Sequence, residues 1–315
     1  MDIQGATPVI ATLTMNPAID LFVIVDQVIP GAKLRCRAPR RDPGGGGINV
    51  ARVVTRLGGS ARAAYPAGGS GGALLTRLLK QEGILAGPIE VEEPVRENLT
   101  VLEKKSGNQF RFVMPGTTLL PREQKQLLEA ALDPPPAYLV ASGSLPAGVP
   151  PGFYAELAGR ARDMGVKLVL DTSGEALREG LKAGVFLVKP NRRELSQIAG
   201  RDLSGAEDQE TVARGLVERG ETQVAVASLG AGGVLLVTAN GTERIPSPDV
   251  PVQSRVGAGD SLVGGIVLGL TRGMDIGTAV RFGVAAGAAA VMTPGTELCR
   301  QADTERLFLE MGGQT

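Results

Sequence analysis

The sequence predicts an α/β protein: a three-layer α/β/α arrangement around a mostly parallel sheet, with a small antiparallel β-sheet acting as a lid. Three observations carry that expectation. Short apolar runs, almost unbroken by polar residues, recur along the chain, as strands buried on both faces require. Segments of helical period separate them. Two early segments alternate apolar and polar residues with period two instead.

The buried strands are expected at 137–142 (AYLVAS), 166–171 (VKLVLD), 185–189 (VFLVK) and 223–228 (QVAVAS). Val50, Val53, Val54 and Leu57 recur at helical spacing before Gly58-Gly59, and Phe153, Tyr154, Leu157 and Ala161 do so before Gly165. Glycine just past the last periodic residue is a helix stop. The period-two segments are 20–42 and 94–114, both rich in Arg and Lys, and the second carries Ser106-Gly107-Asn108 as a hairpin turn. Together they read as the lid, with one polar face; an edge hairpin exposed to solvent is the plainer alternative. Asp133-Pro134-Pro135-Pro136 reads as a stiff helix-to-strand turn. No internal repeat is visible, and residues 1–315 read as one domain.

Composition narrows the chemistry. The chain has 315 residues, 44 glycines, two cysteines, and no histidine or tryptophan. Without imidazole, Ser-His-Asp and Cys-His catalysis and His-ligated metals are excluded. The 33 basic residues balance 33 acidic ones, which argues against broad electrostatic binding to nucleic acid or membrane. Cys36 and Cys299 cannot form a disulfide framework, MDIQGATPVIATL lacks a basic signal-peptide start, and FGVAAGAAAVM is too short to span a bilayer. A cytoplasmic protein is expected.

Two glycine-rich motifs precede helical segments. In Val256-Gly257-Ala258-Gly259-Asp260 the glycines bring backbone N–H groups together at a helix start, where phosphoryl oxygens bind well. Asp260 is placed either to cap that helix or to take a proton from a hydroxyl, and the pentapeptide alone does not choose. Gly44-Gly45-Gly46-Gly47-Ile48-Asn49 suits close passage of backbone past a ligand, with Asn49 reaching hydroxyls; a flexible loop is the alternative. The Walker motif and the dinucleotide fingerprint are both absent. That disfavours P-loop enzymes and dehydrogenases.

Colinear motifs then resemble one family along nearly the whole chain. They are TLTMNPAID (12–20), KLRCRAP (33–39), PGGGGINVAR (43–52), ENLTV (97–101), FRFVMPG (110–116), SGSLPAGV (142–149), DTSGEAL (171–177), VKPNRREL (188–195), SLGAGG (228–233), VGAGDS (256–261) and PGTELC (294–299). The chain resembles the ribokinase-like sugar kinases of the phosphofructokinase B type. Within them, KLRC with PGGGGINVAR is similar to the branch acting on fructose 6-phosphate. Relatives acting on fructose 1-phosphate or tagatose 6-phosphate tend to carry a Gly-Gly-Lys-Gly version, and a single sequence does not separate these substrates.

The resemblance implies ATP-dependent phosphorylation of fructose 6-phosphate at its 1-hydroxyl. It implies Asp260 as the base and Gly257, Ala258 and Gly259 as an anion hole. Asp20, Gly45, Gly46, Asn49 and Ser144 match sugar-binding positions, and Lys33, Arg35 and Arg96 match a grip on the 6-phosphate. Taken singly, those three basic residues read as a solvated strand face. Lys189, Asn191 and Glu194 match an element that positions ATP phosphates and hydrated Mg2+; Ser228, Gly230, Gly232 and Gly233 match an ATP loop. A K+ site is implied near Ser254, Val256, Ala290, Thr293, Gly295 and Glu297, and a homodimer through the lid. Arg255 departs from the small residue usual before Val256. A non-catalytic sugar-phosphate or nucleotide sensor on the same fold is the alternative of a different class.

Overall fold

The computed structural model describes residues 10–203 and 205–313, so the amino-terminal reading lies largely outside the described residues. The chain runs through β1 (Ile10–Leu13), β2 (Ala18–Val25), β3 (Arg37–Gly44) and α1 (Gly46–Arg56), then β4 (Ala61–Pro66), α2 (Gly69–Gln81) and β5 (Leu85–Ile89). Next come β6 (Arg96–Glu103), β7 (Gln109–Phe112), α3 (Pro121–Leu132), β8 (Tyr138–Ser142), α4 (Phe153–Asp163), β9 (Lys167–Asp171) and α5 (Gly174–Lys182). β10 (Val185–Val188), α6 (Arg192–Ala199), α7 (Ala206–Glu218), β11 (Thr222–Ser228), β12 (Val234–Thr238) and β13 (Gly241–Ile245) follow, and α8 (Ala258–Thr271), α9 (Ile276–Val291) and α10 (Gln301–Glu310) end the described chain.

The large sheet has the order β13-β12-β11-β10-β9-β8-β1-β4-β5. It is parallel from β5 to β11, and only β12 and β13 join antiparallel. Its apolar runs behave as two-faced strands must. In β11, Val224 and Val226 join the cluster containing Val263, Ile266 and Phe282, while Ala225 and Ala227 join Leu127, Leu157 and Leu177 on the opposite face. Each such burial is worth roughly 1.5–3 kcal/mol for a Val, Leu, Ile or Phe side chain. On the first face α8 packs tightly against α9: a Cβ at Gly265 would stand 2.8 Å from the Cα of Gly283. Helix α8 is thereby fixed in place before any ligand arrives.

Strands β3-β2-β6-β7 form the second sheet. It is antiparallel-rich as expected, but its central seam, β2 with β6, is parallel, running from Ala18 opposite Arg96 to Val25 opposite Glu103. Both strands leave the large sheet at the same end, so they travel outward together before each turns back. The 94–114 hairpin forms, with Glu103 N–H bonded to Asn108 O at 2.9 Å around Gly107. The 20–42 segment is strand only at its ends; residues 26–36 are a loop whose Pro30-Gly31 pair interrupts the alternation. The lid has its own small core of Val23, Val25 and Val101. Among the described residues no helix is long and apolar enough to cross a membrane.

Candidate active site

Strand β1 has β4 on one side and β8 on the other, so the direction of winding reverses between β1 and β8. Crevices at such switch points, beyond the carboxyl ends of the strands, are where open α/β sheets bind ligands. A cleft of about 270 Å³ lies there, lined by Gly46, Ser142, Ser144, Asp171, Glu194 and Asp260 among others. Gly46 has to be glycine, because a Cβ would sit 2.2 Å from Ser142 Oγ. The 142–144 turn is held from behind, with Gly143 O accepting from Thr172 Oγ1 at 2.9 Å and from Tyr154 Oη at 3.2 Å.

Two helices aim their amino termini at this cleft. The start of α1 is fixed by Ile48 N–H donating to Thr14 Oγ1 at 2.8 Å, which leaves Asn49 one residue on. Helix α8 starts from Gly257 at φ +76°. Ser261 N–H bonds back to Gly257 O at 2.8 Å; the amides of Ala258, Gly259 and Asp260 precede any intrahelical acceptor and face forward as an anion-binding group.

Asp260 does not cap its helix, which has no side-chain cap. A carboxylate three residues into a helix can reach back to its start, but here the side chain is turned to Asn49, whose Nδ2 donates to Asp260 Oδ2 at 2.8 Å. Burial, reinforced by the nearby Asp171 charge, pushes the Asp260 carboxyl up to about 7, against the opposing pull of Asn49 and Lys189. Lys189 is itself buried, with Nζ 3.1 Å from Asp171 Oδ1. Burial works against its charge, but Asp171, Glu194 and Asp260 outweigh that and hold the ammonium above its usual range. A Cβ at Gly259 would come 3.6 Å from Lys189 Nζ, so the cation stands beside the first turn of α8.

Asn191 and Glu194 form a reciprocal capping box on α6: Asn191 Oδ1 accepts from Glu194 N–H at 2.9 Å, and Glu194 Oε2 accepts from Asn191 N–H at 2.8 Å. Glu194 nevertheless lines the cleft, and burial raises its carboxyl above the ordinary value. Ser228 bridges to Asn191, and the turn after it closes with Leu229 N–H on Gly233 O at 2.8 Å, with Gly230–Gly232 in a 3₁₀ turn. Among the described residues no group of three or more His, Cys, Asp or Glu is placed to hold a metal. Asp171 and Glu194 still suit Mg2+, which takes few protein ligands and keeps waters and phosphate oxygens.

The lid contributes Asp20, whose Oδ1 accepts from Asn98 Nδ2 at 2.9 Å; burial raises its carboxyl, while Asn98, Arg111 and Arg96 pull the other way. Arg96 spends its donors on the carbonyls of Met114 at 2.9 Å, Asn16 at 3.1 Å and Pro17 at 3.3 Å, stitching the lid to its root. Ser144 Oγ accepts from Asn16 Nδ2 at 3.0 Å. Lys33 and Arg35 are exposed on the 26–36 loop and do not line the cleft.

The six residues expected around a monovalent cation gather in one knot. Ser254 Oγ donates to Gly295 O at 2.7 Å and accepts from Val256 N–H at 3.2 Å, while Thr293 Oγ1 donates to the carbonyls of Ala290 and Glu297. Thr296 ties this knot to β3 through Arg40, whose Nη2 donates to its Oγ1 at 3.1 Å, and through Asp42.

Sequence reasoning missed three residues. Asp171 ends strand β9, and its place at the carboxyl end of a parallel strand was the available signal. Arg111 lies in the lid alternation between Phe110 and Phe112, and its charge acts on Asp20. Arg52 is fully buried beneath Asn49, and a lone arginine among apolar helix positions was its only mark.

Residues 10–303 match the pfkB family carbohydrate kinase model. The ATP-dependent 6-phosphofructokinase isozyme 2 of Mycobacterium tuberculosis is 46% identical over 305 residues, covering 96% of this chain and 89% of the relative. That of Escherichia coli is 44% identical, covering 95% and 97%. The 1-phosphofructokinase of Rhodobacter capsulatus is 35% identical, covering 88% of each. Among solved structures, phosphofructokinase-2 from E. coli in complex with potassium superposes with TM-score 0.94 at 42% identity, covering 97% of this chain and 100% of that one. The same enzyme in complex with fructose-6-phosphate gives 0.91 at 41%, and its tetrameric inhibited form 0.92 at 42%, with the same coverage.

Proposed function

The chain belongs to the pfkB family of carbohydrate kinases, and from that premise we propose that it transfers the γ-phosphoryl group of Mg2+-bound ATP to the 1-hydroxyl of fructose 6-phosphate. The observation that carries this reading is Asp260: a half-buried carboxylate at the amino terminus of α8, lining the cleft, hydrogen-bonded to Asn49 and pushed up to about 7. The greater identity to 6-phosphofructokinases than to a 1-phosphofructokinase supports the choice of sugar.

Phosphoryl transfer depends mainly on positioning and charge stabilisation. The hydroxyl oxygen forms a bond to the γ-phosphorus, the bond to the bridging oxygen of ADP breaks, and the hydroxyl proton passes to Asp260. The amides of Ala258, Gly259 and Asp260, in the turn that Gly257 opens and with Lys189 beside them, face the negative charge on the transferring group. Asn49, Asp20, Gly45, Gly46 and Ser144 orient the sugar. Its 6-phosphate meets Arg111 and the remaining donor capacity of Arg96 at the lid, and meets Lys33 and Arg35, which lie outside the cleft, only when the 26–36 loop is brought over it. The turn at Ser228, Gly230, Gly232 and Gly233, with Asn191, takes the nucleotide. Glu194 and Asp171 would hold Mg2+, which would supply neutralisation of phosphate charge, and the knot of Ser254, Val256, Ala290, Thr293, Gly295 and Glu297 would hold K+.

The protein is a cytoplasmic homodimer in this reading, one catalytic unit per chain. Phe110, Phe112, Val113 and Met114 leave the lid with an exposed apolar edge, and a second lid is the surface that covers it. Free cysteines, Cys36 exposed and Cys299 buried, suit a reducing compartment.

A coupled ADP-release assay with fructose 6-phosphate, fructose 1-phosphate and tagatose 6-phosphate tests the assignment through kcat/KM. Fructose 6-phosphate is expected to lead by at least tenfold. A lead for either other sugar reassigns the substrate, and no ADP from any of them removes the kinase reading in favour of a sensor.

A further inference from the structure

Arg52 lies on α1 three residues after Asn49, hence on the same helix face. Its side chain is 2% exposed, and its fork grips Glu82, with Nε 2.9 Å from Oε2 and Nη2 2.8 Å from Oε1. The remaining arm, Nη1, donates to Pro43 O at 2.9 Å and to Asn49 Oδ1 at 3.4 Å. Pro43 is the penultimate residue of lid strand β3. One buried guanidinium thus touches the end of α2, the root of the lid and the side chain that meets Asp260.

The donors dictate how the amide lies. A guanidinium only donates, so it holds Asn49 Oδ1 toward itself and leaves Nδ2 for Asp260 Oδ2. With the amide reversed, NH2 would face N–H donors and the carbonyl would face a carboxylate, and both contacts would repel. We propose that Arg52 is a positioning residue for phosphoryl transfer: held by Glu82, it fixes the Asn49 amide against Asp260 and ties that arrangement to the root of the lid. The inference rests on Asp260 as proton acceptor. Lysine cannot replace it, because a single ammonium does not reach Glu82, Pro43 O and Asn49 along three diverging directions.

The decisive experiment is a double-mutant cycle between Arg52→Lys and Asn49→Ala, read as kcat and as the acid limb of the kcat–pH profile. Arg52→Lys in the parent is expected to lower kcat ~10-fold with sugar KM changed less than ~3-fold, and to do almost nothing in the Asn49→Ala background. The acid limb moves upward in Arg52→Lys, because Asp260 loses a hydrogen bond to its charged form while Asp171, Asp20, Lys189 and Glu194 remain around it. A merely structural role would lower Tm and leave the limb in place. If Arg52→Lys does not fold, Glu82→Gln replaces it in the same cycle with the same expectation. Additive losses, or a limb that stays put, overturn the proposal. Asp260→Asn is run alongside: if it keeps activity, the proton-acceptor reading fails, whereas loss there with parental behaviour in Arg52→Lys overturns the Arg52 assignment alone.

Discussion

Strand β8 buries all five of its residues, whereas β7 in the lid buries none of its four. The two sheets meet at the cleft, and their difference divides the work. The large sheet is covered on both faces, and its strand ends and helix starts hold Asp260, Lys189 and Asp171 in one fixed arrangement. The lid has a core of three buried residues and an exposed apolar edge. It cannot hold a geometry alone, because a thinly covered sheet has little apolar burial to offset chain entropy. In the proposed function, rigid chemistry below and a dependent cover above would let substrates enter and water be excluded.

Breaking the rigid side is expected to cost most. Asp260→Asn should lower kcat at least ~1000-fold, about 4 kcal/mol of barrier, without unfolding the protein. It should also raise Tm at pH 8. The Asp260 carboxyl lies near 7 in the folded protein, above its ordinary value, so its ionisation costs stability as pH rises from ~4 through 7, and a neutral amide escapes that cost. Calorimetry at pH 8 checks this, with a gain of ~1–2 kcal/mol expected.

Breaking the lid is expected to cost less and to fall on the sugar. Phe112→Asp should shift the protein toward monomer in sedimentation and raise the KM for fructose 6-phosphate ~10-fold, since the phosphate grip then lacks a braced support. ATP affinity should stay within ~2-fold, because the turn at Ser228–Gly233 proposed to take the nucleotide follows β11 of the large sheet. Equal losses on both substrates would erase the distinction between the two regions.

The smallest effect is expected at Arg255, which is exposed and has no ion pair among the described residues. Arg255→Thr should leave kcat and ATP KM within ~2-fold, as surface substitutions without partners usually do.

The fold was legible wherever burial is two-sided. The runs at 137–142, 166–171 and 223–228 announced their strands because their central residues are apolar on both faces, with polar residues only toward the ends. The lid was read less well, since alternation gives a strand but not its partner: nothing in residues 20–42 or 94–114 encodes the parallel seam of β2 with β6. Of the site, the glycine motifs and Asp260 stood out through close backbone approach at helix starts. Asp171 and Arg52 did not, because their importance lies in partners distant in sequence: Lys189 for one, Glu82 and Pro43 for the other.

The central claim is that one half-buried carboxylate at the start of α8 accepts the proton during transfer. The most direct measurement is kcat with fructose 6-phosphate from pH 5 to 9, for the parent and for Asp260→Asn. The parent should rise through an acid limb near 7, and Asp260→Asn should be at least ~1000-fold slower, with that limb gone. An Asp260→Asn enzyme within tenfold of the parent and showing the same limb would contradict it.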